Sequence, residues 1–152
     1  MVGRVRIALA TASAAALLVG TGMVGVSAGA PAAASRHEGG RISLRHTHDG
    51  TVLVGENGHS LYAFSIDTKN HSNCKGSCLK HWLPAMTSGK PRAGAGVKAA
   101  HLGQTRKHQA TYFGQPLYTY VKDTKAGQVK GQNLFASGGY WNLVKASGKL
   151  VF

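Results

Sequence analysis

The sequence predicts an all-β fold, a small antiparallel β sandwich or barrel built from two diverged hairpin repeats. Three observations carry that expectation. The phrase GHSLYAFSID, Gly58 to Asp67, returns loosely as GQPLYTYVKD, Gly114 to Asp123, keeping its Gly, Leu, Tyr, a second aromatic and the Asp. Short runs of β-branched and aromatic residues alternate with turn residues, among 21 glycines, which suits many tight turns. No window holds a sustained helical apolar period, apart from a short turn around Leu79 to Trp82.

In chain order, the first segment reads as a targeting signal. Arg4 and Arg6 precede the uncharged run Ile7 to Val19, and A-x-A sites follow at Ala28-Gly29-Ala30 and Ala32-Ala33-Ala34. That is the layout of a secretory signal peptide over 1–34. Cleavage is expected after Ala34, because the earlier site would leave Pro31 just beyond the cut. The apolar run falls short of the ~20 residues that a spanning helix needs, so no transmembrane span is expected after cleavage. No Cys lies near the cleavage region, so there is no lipobox Cys to carry a lipid. The expected localisation is secreted, extracellular or wall-associated.

Residues 35–50, SRHEGGRISLRHTHDG, are polar, basic and His-rich. They read as a flexible lead-in, with a first strand possible at Arg41 to Arg45. A single β domain is expected over 51–152, its repeats near 51–68 and 109–124. Thr51–Val54 and Ser60–Ile66 flank Glu56-Asn57-Gly58, and Asn-Gly is the favoured pair of a type I′ turn. Gln109–Phe113 and Pro116–Val121 flank Gly114-Gln115 in the same way. A third hairpin is expected from Tyr140–Val144, a turn at Ala146-Ser147-Gly148, and KLVF.

Alternation along a strand puts Tyr62, Phe64 and Ile66 on one face and Leu61, Ala63 and Ser65 on the other. In the second copy Tyr118 and Tyr120 match Tyr62 and Phe64, and Leu117 matches Leu61. Bulk on both faces predicts strands that lie between two layers or line a small barrel. Asp67 and Asp123, each followed by Thr, end these strands and are expected to accept backbone N–H bonds from the following turn.

At these residues the chain resembles a bacterial family, the secreted-repeat proteins described as predicted lipoproteins with a repeated Tyr-x-x-x-x-Asp motif. The resemblance rests on Leu-Tyr-x-aromatic-x-x-Asp at Leu61–Asp67 and Leu117–Asp123, the Cys segment Asn73–Cys78, Trp82-x-Pro84, and Gly138-Gly139-x-Trp141. It covers about Thr51 to Val144 and implies no assigned biochemical role. Two features depart from it: the lipobox Cys is missing, and Leu83 stands where a second proline is usual.

Charge and composition narrow the function classes. Residues 35–152 carry 16 Lys or Arg against 5 Asp or Glu. In an exported protein that balance points to an anionic cell-wall polymer or membrane surface as partner. The cations are scattered singly with no nucleic-acid-binding motif, so no nucleic acid is expected. No G-x-S-x-G, H-E-x-x-H or transpeptidase-like Cys is present, so no catalytic residue is assigned. Thiol or redox chemistry at the Cys pair is the remaining enzymatic option.

The sharpest local cluster is His71, Cys74, Cys78 and His81. The only two cysteines of an exported chain are expected to form a Cys74–Cys78 disulfide. The competing reading makes the four side chains a Zn²⁺ or Cu(I) site. A second metal idea depends on processing: a mature Ser35-Arg36-His37 terminus would offer Cu(II) or Ni(II) four in-plane nitrogens. No cofactor is expected otherwise. Finally, Tyr62, Phe64, Tyr118, Tyr120, Trp82 and Trp141 are either core or a sugar-stacking face.

Overall fold

The computed structural model describes residues 40–152. The expected signal peptide over 1–34, its cleavage site and His37 lie outside the described residues. Short strands and turns make up the remainder: β1 Arg41–Thr47, β2 Gly50–Val54, β3 Tyr62–Phe64, β4 Trp82–Pro84, β5 Arg92–Ala93, β6 Leu102–Gln104, β7 Ala110–Tyr112, β8 Gln115–Pro116, β9 Tyr118–Tyr120, β10 Leu134–Ala136 and β11 Gly139–Leu143. Two 3-10 turns, Gly76–Lys80 and Ala99–His101, complete the elements. The first of these is the helical turn expected near Leu79.

A five-stranded sheet in the order β10-β11-β3-β9-β4 carries the repeated phrase. Two three-stranded sheets, β2-β1-β5 and β6-β7-β8, accompany it. Pairing is antiparallel throughout except between β1 and the two-residue β5. One face of the large sheet buries Tyr62, Phe64, Trp82, Tyr118, Tyr120, Trp141 and Leu143. Leu61, Ala63, Leu117 and Val144 belong to a second core with Ile42, Leu53, Leu102 and Tyr112 of the smaller sheets. The all-β architecture, with repeat strands bulky on both sides and held between two layers, is what the alternation required.

The two copies interlock by exchanging their last strands. The strand that follows the first phrase, β4, pairs with β9 of the second, in the register Trp82↔Tyr120 and Pro84↔Tyr118. The strand that follows the second phrase, β11, pairs with β3 of the first, in the matching register Trp141↔Phe64 and Leu143↔Tyr62. The two phrases meet at Tyr62↔Tyr118. Backbone hydrogen bonds repeat with the same exchange: Leu61 to Leu53 and Leu117 to Ala110 within each copy, Leu53 to Val144 and Ala110 to Ala85 between them. Approximate twofold symmetry follows, and neither copy covers its own aromatic face alone.

Three local expectations need correction. Within the flexible lead-in expected over 35–50, residues 41–50 are instead built into the fold: the first strand read at Arg41 to Arg45 is present as β1, Ile42 and Thr47 are buried, and β1 pairs with β2 along Ser43–Thr47. Turn residues Thr47 and Gly50 drive this, through a Thr47 hydroxyl bond to the Gly50 carbonyl. The first hairpin is confined to its turn, Val54↔Ser60, because β3 leaves β2 for β11 and β9. In the second hairpin the turn sits one residue earlier than expected, on Phe113 and Gly114, whose φ angles are +49° and +78°. Those paired positive φ values are the type I′ pattern, in which the strand ends keep their twist. The third hairpin closes as read, with Val144 bridged to Leu150 around Ala146–Gly148.

Candidate functional site

The conserved-looking phrase turns inward. Tyr62 donates a 2.6 Å hydrogen bond to Asp123 Oδ2, and Tyr118 donates one of 2.7 Å to Asp67 Oδ2, so each copy's tyrosine serves the other copy's aspartate. The remaining carboxylate oxygens accept backbone N–H bonds, Asp67 Oδ1 from Asn73 at 2.7 Å and Asp123 Oδ1 from Lys130 at 2.9 Å. The backbone half of this arrangement matches the role read for the aspartates. The tyrosine half was missed, because it joins residues 61 and 51 positions apart.

Burial, then the neighbouring carboxylate, pushes the Tyr62 hydroxyl well above its ordinary pKa. Burial does the same to Tyr118, with Asp67 adding to it and Ser72, 2.7 Å away, opposing it. Burial also raises the Asp67 carboxyl, against the lowering effect of the Asn73 N–H, the Tyr118 hydroxyl and His71. These phenols and carboxylates are hydrogen-bonded to one another across the boundary between the copies and line neither of the two grooves described below.

Between the two Tyr–Asp pairs runs a stack of four rings. Phe64 lies on Trp141 at 4.0 Å, Trp141 on Trp82 at 3.8 Å and 3°, and Trp82 on Tyr120 at 4.4 Å. Tyr62 meets Trp82 edge-on and Tyr118 meets Trp141 edge-on, each within its own copy, whereas the stacked contacts all cross between copies. Gly131 is required here: a Cβ would sit 2.6 Å from the Trp82 ring. All six aromatics are buried, so the sugar-stacking alternative for this set is overturned. Their contacts, stacked and edge-to-face among buried rings, are those of a core.

The Cys74–Cys78 disulfide is formed, with Cα atoms 5.4 Å apart, and both residues are buried in the same aromatic core. It closes the turn that directly follows Asn73, whose N–H Asp67 accepts. The Zn²⁺ or Cu(I) set is not assembled. Its two sulfurs are bonded to each other, while His71 and His81 are exposed. Among the described residues no group of three or more His, Cys, Asp or Glu side chains is placed to hold a metal ion. The terminal copper idea falls on His37, outside the described residues.

What the outside offers is charge. Every Lys and Arg among the described residues is exposed. Of the four described carboxylates, Asp67 and Asp123 are tied to tyrosines, which leaves Asp49 and Glu56 toward solvent. Asp49 is itself 3.3 Å from His48. The internal placement of half the acids makes the surface more positive than the composition alone implies.

Two grooves cut this surface at equivalent places in the two copies. One, of about 390 Å³, lies between Lys69-Asn70, His101 and the Phe113-Gly114 turn. Its counterpart, of about 370 Å³, lies between Ser43–Arg45 and Val54–Gly58. The correspondence shows in the backbone: Asn70 N–H bonds to the Gly114 carbonyl, and Gly127 N–H to the Gly58 carbonyl. Sequence reading missed both grooves, since each is built from segments of both copies or of separate strands.

Against known proteins, a family model described as a secreted repeat of unknown function matches this chain twice, over residues 43–86 and 104–145. The two matched segments begin near β1 and β6 and end just after β4 and β11, so each takes in the strand it exchanges. No curated protein and no solved structure matches the chain. Among the described residues no helix is long and apolar enough to cross a membrane.

Proposed function

We propose that this chain, which belongs to the secreted-repeat family of unknown function, is a non-enzymatic module of the cell envelope or secreted fluid that associates with acidic wall polymers through its charge. The observation that carries the reading is the partition of charge: all described Lys and Arg side chains lie outside, while Asp67 and Asp123 are held inside by Tyr118 and Tyr62. A surface so arranged attracts a polyanion from a distance and holds it by many weak, screened contacts. The aromatic core and the disulfide supply a scaffold that survives outside the cell; they carry no reaction.

Export supports the same reading. The Arg4–Arg6 start, the apolar run Ile7–Val19 and the small-residue site ending at Ala34 would release a chain beginning at Ser35, with no Cys there for a lipid. Retention would then depend on charge.

The experiment is co-sedimentation of the purified protein with cell walls, intact or stripped of their anionic polymers, as salt is raised. Retention should fall steeply between roughly 50 mM and roughly 500 mM salt and should be lost on stripped walls. Retention that ignores both salt and stripping sinks the proposal.

A further inference from the structure

The geometry points to the groove between Lys69-Asn70, His101 and the Phe113-Gly114 turn as a binding site for one acidic sugar unit, a ring bearing phosphate or carboxylate. This rests on the electrostatic reading above and narrows it from a diffuse surface to one place. The internal symmetry of the fold provides a comparison: the second groove lies at the equivalent place in the other copy, where the connection between Leu53 and Leu61 is one residue longer than that between Ala110 and Leu117 and Gly58 alone takes a positive φ.

At the counterpart groove the turn is Glu56-Asn57-Gly58, ordinary residues for a tight reversal, and the lining includes the acid Glu56 together with Arg45. At the proposed site the acid is gone. Lys69 and Asn70 stand on one side, the Lys69 stem running over Gly114, where a Cβ would come within 2.8 Å of its Cγ. No carboxylate lines this groove, so charge complementarity selects an anion. Its volume, about 390 Å³, lies in the range of small-ligand sites.

Phe113 supplies the second, independent observation. It occupies a left-handed position, φ +49°, that Gly and Asn take readily and a bulky aromatic does not. The hairpin requires a positive φ here, and the chain meets that need with a phenylalanine where Gly or Asn would sit without strain, so the residue type is set by something other than the turn. The ring stacks on His101 at 3.7 Å and 16°, meets the buried Tyr112 edge-on at 4.9 Å, and fills the Cβ position of Gly148. Both rings are exposed. The pair makes a two-ring wall beside a cation and an amide: an apolar surface for the C–H face of a sugar, a charge for its acid and donors for its hydroxyls.

The test uses the full exported chain, titrated at fixed ionic strength with an oligosaccharide of mannose 6-phosphate and with a galacturonic acid oligomer. The better of the two probes names the acid. On that probe, Lys69→Gln and Phe113→Asn should each weaken binding about tenfold. Lys80→Gln, which removes the same charge outside the groove, should weaken it by less than about twofold. Phe113→Asn should melt no lower than the parent, since Asn relieves the strained turn. Equal weakening by Lys69→Gln and Lys80→Gln, with Phe113→Asn without effect, overturns the groove and leaves the diffuse-charge reading standing. Failure of the parent protein to bind either probe overturns both.

Discussion

Tyr62 Oη and Asp123 Oδ2 lie 2.6 Å apart across the boundary between the two copies. The reverse bond, Tyr118 to Asp67, is 2.7 Å long. The motif that defines each repeat is therefore completed only by the other repeat. Tyr62→Phe leaves the Asp123 carboxylate, 1% exposed, with the Lys130 N–H as its remaining partner. A buried charge deprived of a partner costs about 2–4 kcal/mol. Tyr118→Phe should cost less, about 1–2 kcal/mol, because Asp67 is only half-buried. Urea unfolding of a cycle that combines Tyr62→Phe with Asp123→Ala should give a coupling of at least about 1 kcal/mol. Simple additivity would mean that the bond links nothing.

The disulfide has a more local effect. Its five-residue loop predicts a loss of about 2 kcal/mol when Cys74 and Cys78 are both replaced by Ala. Because Cys74 adjoins Asn73, whose N–H is held by Asp67, that amide should exchange faster with deuterium in the variant. The equivalent Lys130 amide, held by Asp123 in the copy without cysteines, should exchange as before. Equal acceleration at both amides would show that the bond stabilises the whole domain and not its own loop.

These relationships show what the sequence discloses. Period-two alternation and the doubled phrase disclosed the strands and the two-sided burial of Leu61, Tyr62, Leu117 and Tyr118. The presence of only two cysteines, four positions apart, disclosed the disulfide. Each is set by neighbours within a few positions. Strand exchange was invisible, since nothing in Trp82 or Trp141 says whether its strand pairs within its own copy or across. The turn at Phe113 was misplaced because a phenylalanine at positive φ violates the local rule that placed it. The groove escaped for the same reason, and because Lys69 and Phe113 meet only after the copies interlock.

Ser60 is a place where the fold carries an unrewarded polar atom. Its hydroxyl is fully buried and has no hydrogen-bond partner, and the matching position of the second copy is Pro116. Removing a buried unsatisfied hydroxyl without disturbing the backbone returns its desolvation cost, so Ser60→Ala should be neutral or stabilising by up to about 1 kcal/mol. A urea midpoint that falls instead would assign the hydroxyl a partner in solution.

Alkali should unfold the protein in a way that the two motif tyrosines dictate. Burial, together with the adjacent aspartates, raises both phenols above the ordinary value of 10.0. A group whose folded pKa lies above its unfolded pKa binds its proton more tightly in the native state. Its contribution is complete below pH 10 and is lost as pH rises from there toward the folded value. Within that window each tyrosine should lower stability by about 1.4 kcal/mol per pH unit. Tyr62 and Tyr118 acting together should double that slope. Phenolate absorbance from Tyr62 and Tyr118 should therefore appear only with cooperative loss of the near-ultraviolet signal of the Trp82–Trp141 stack. In Tyr62→Phe the slope of stability against pH above 10 should fall by half. An unchanged slope would place the alkaline transition somewhere other than the exchanged Tyr–Asp pairs.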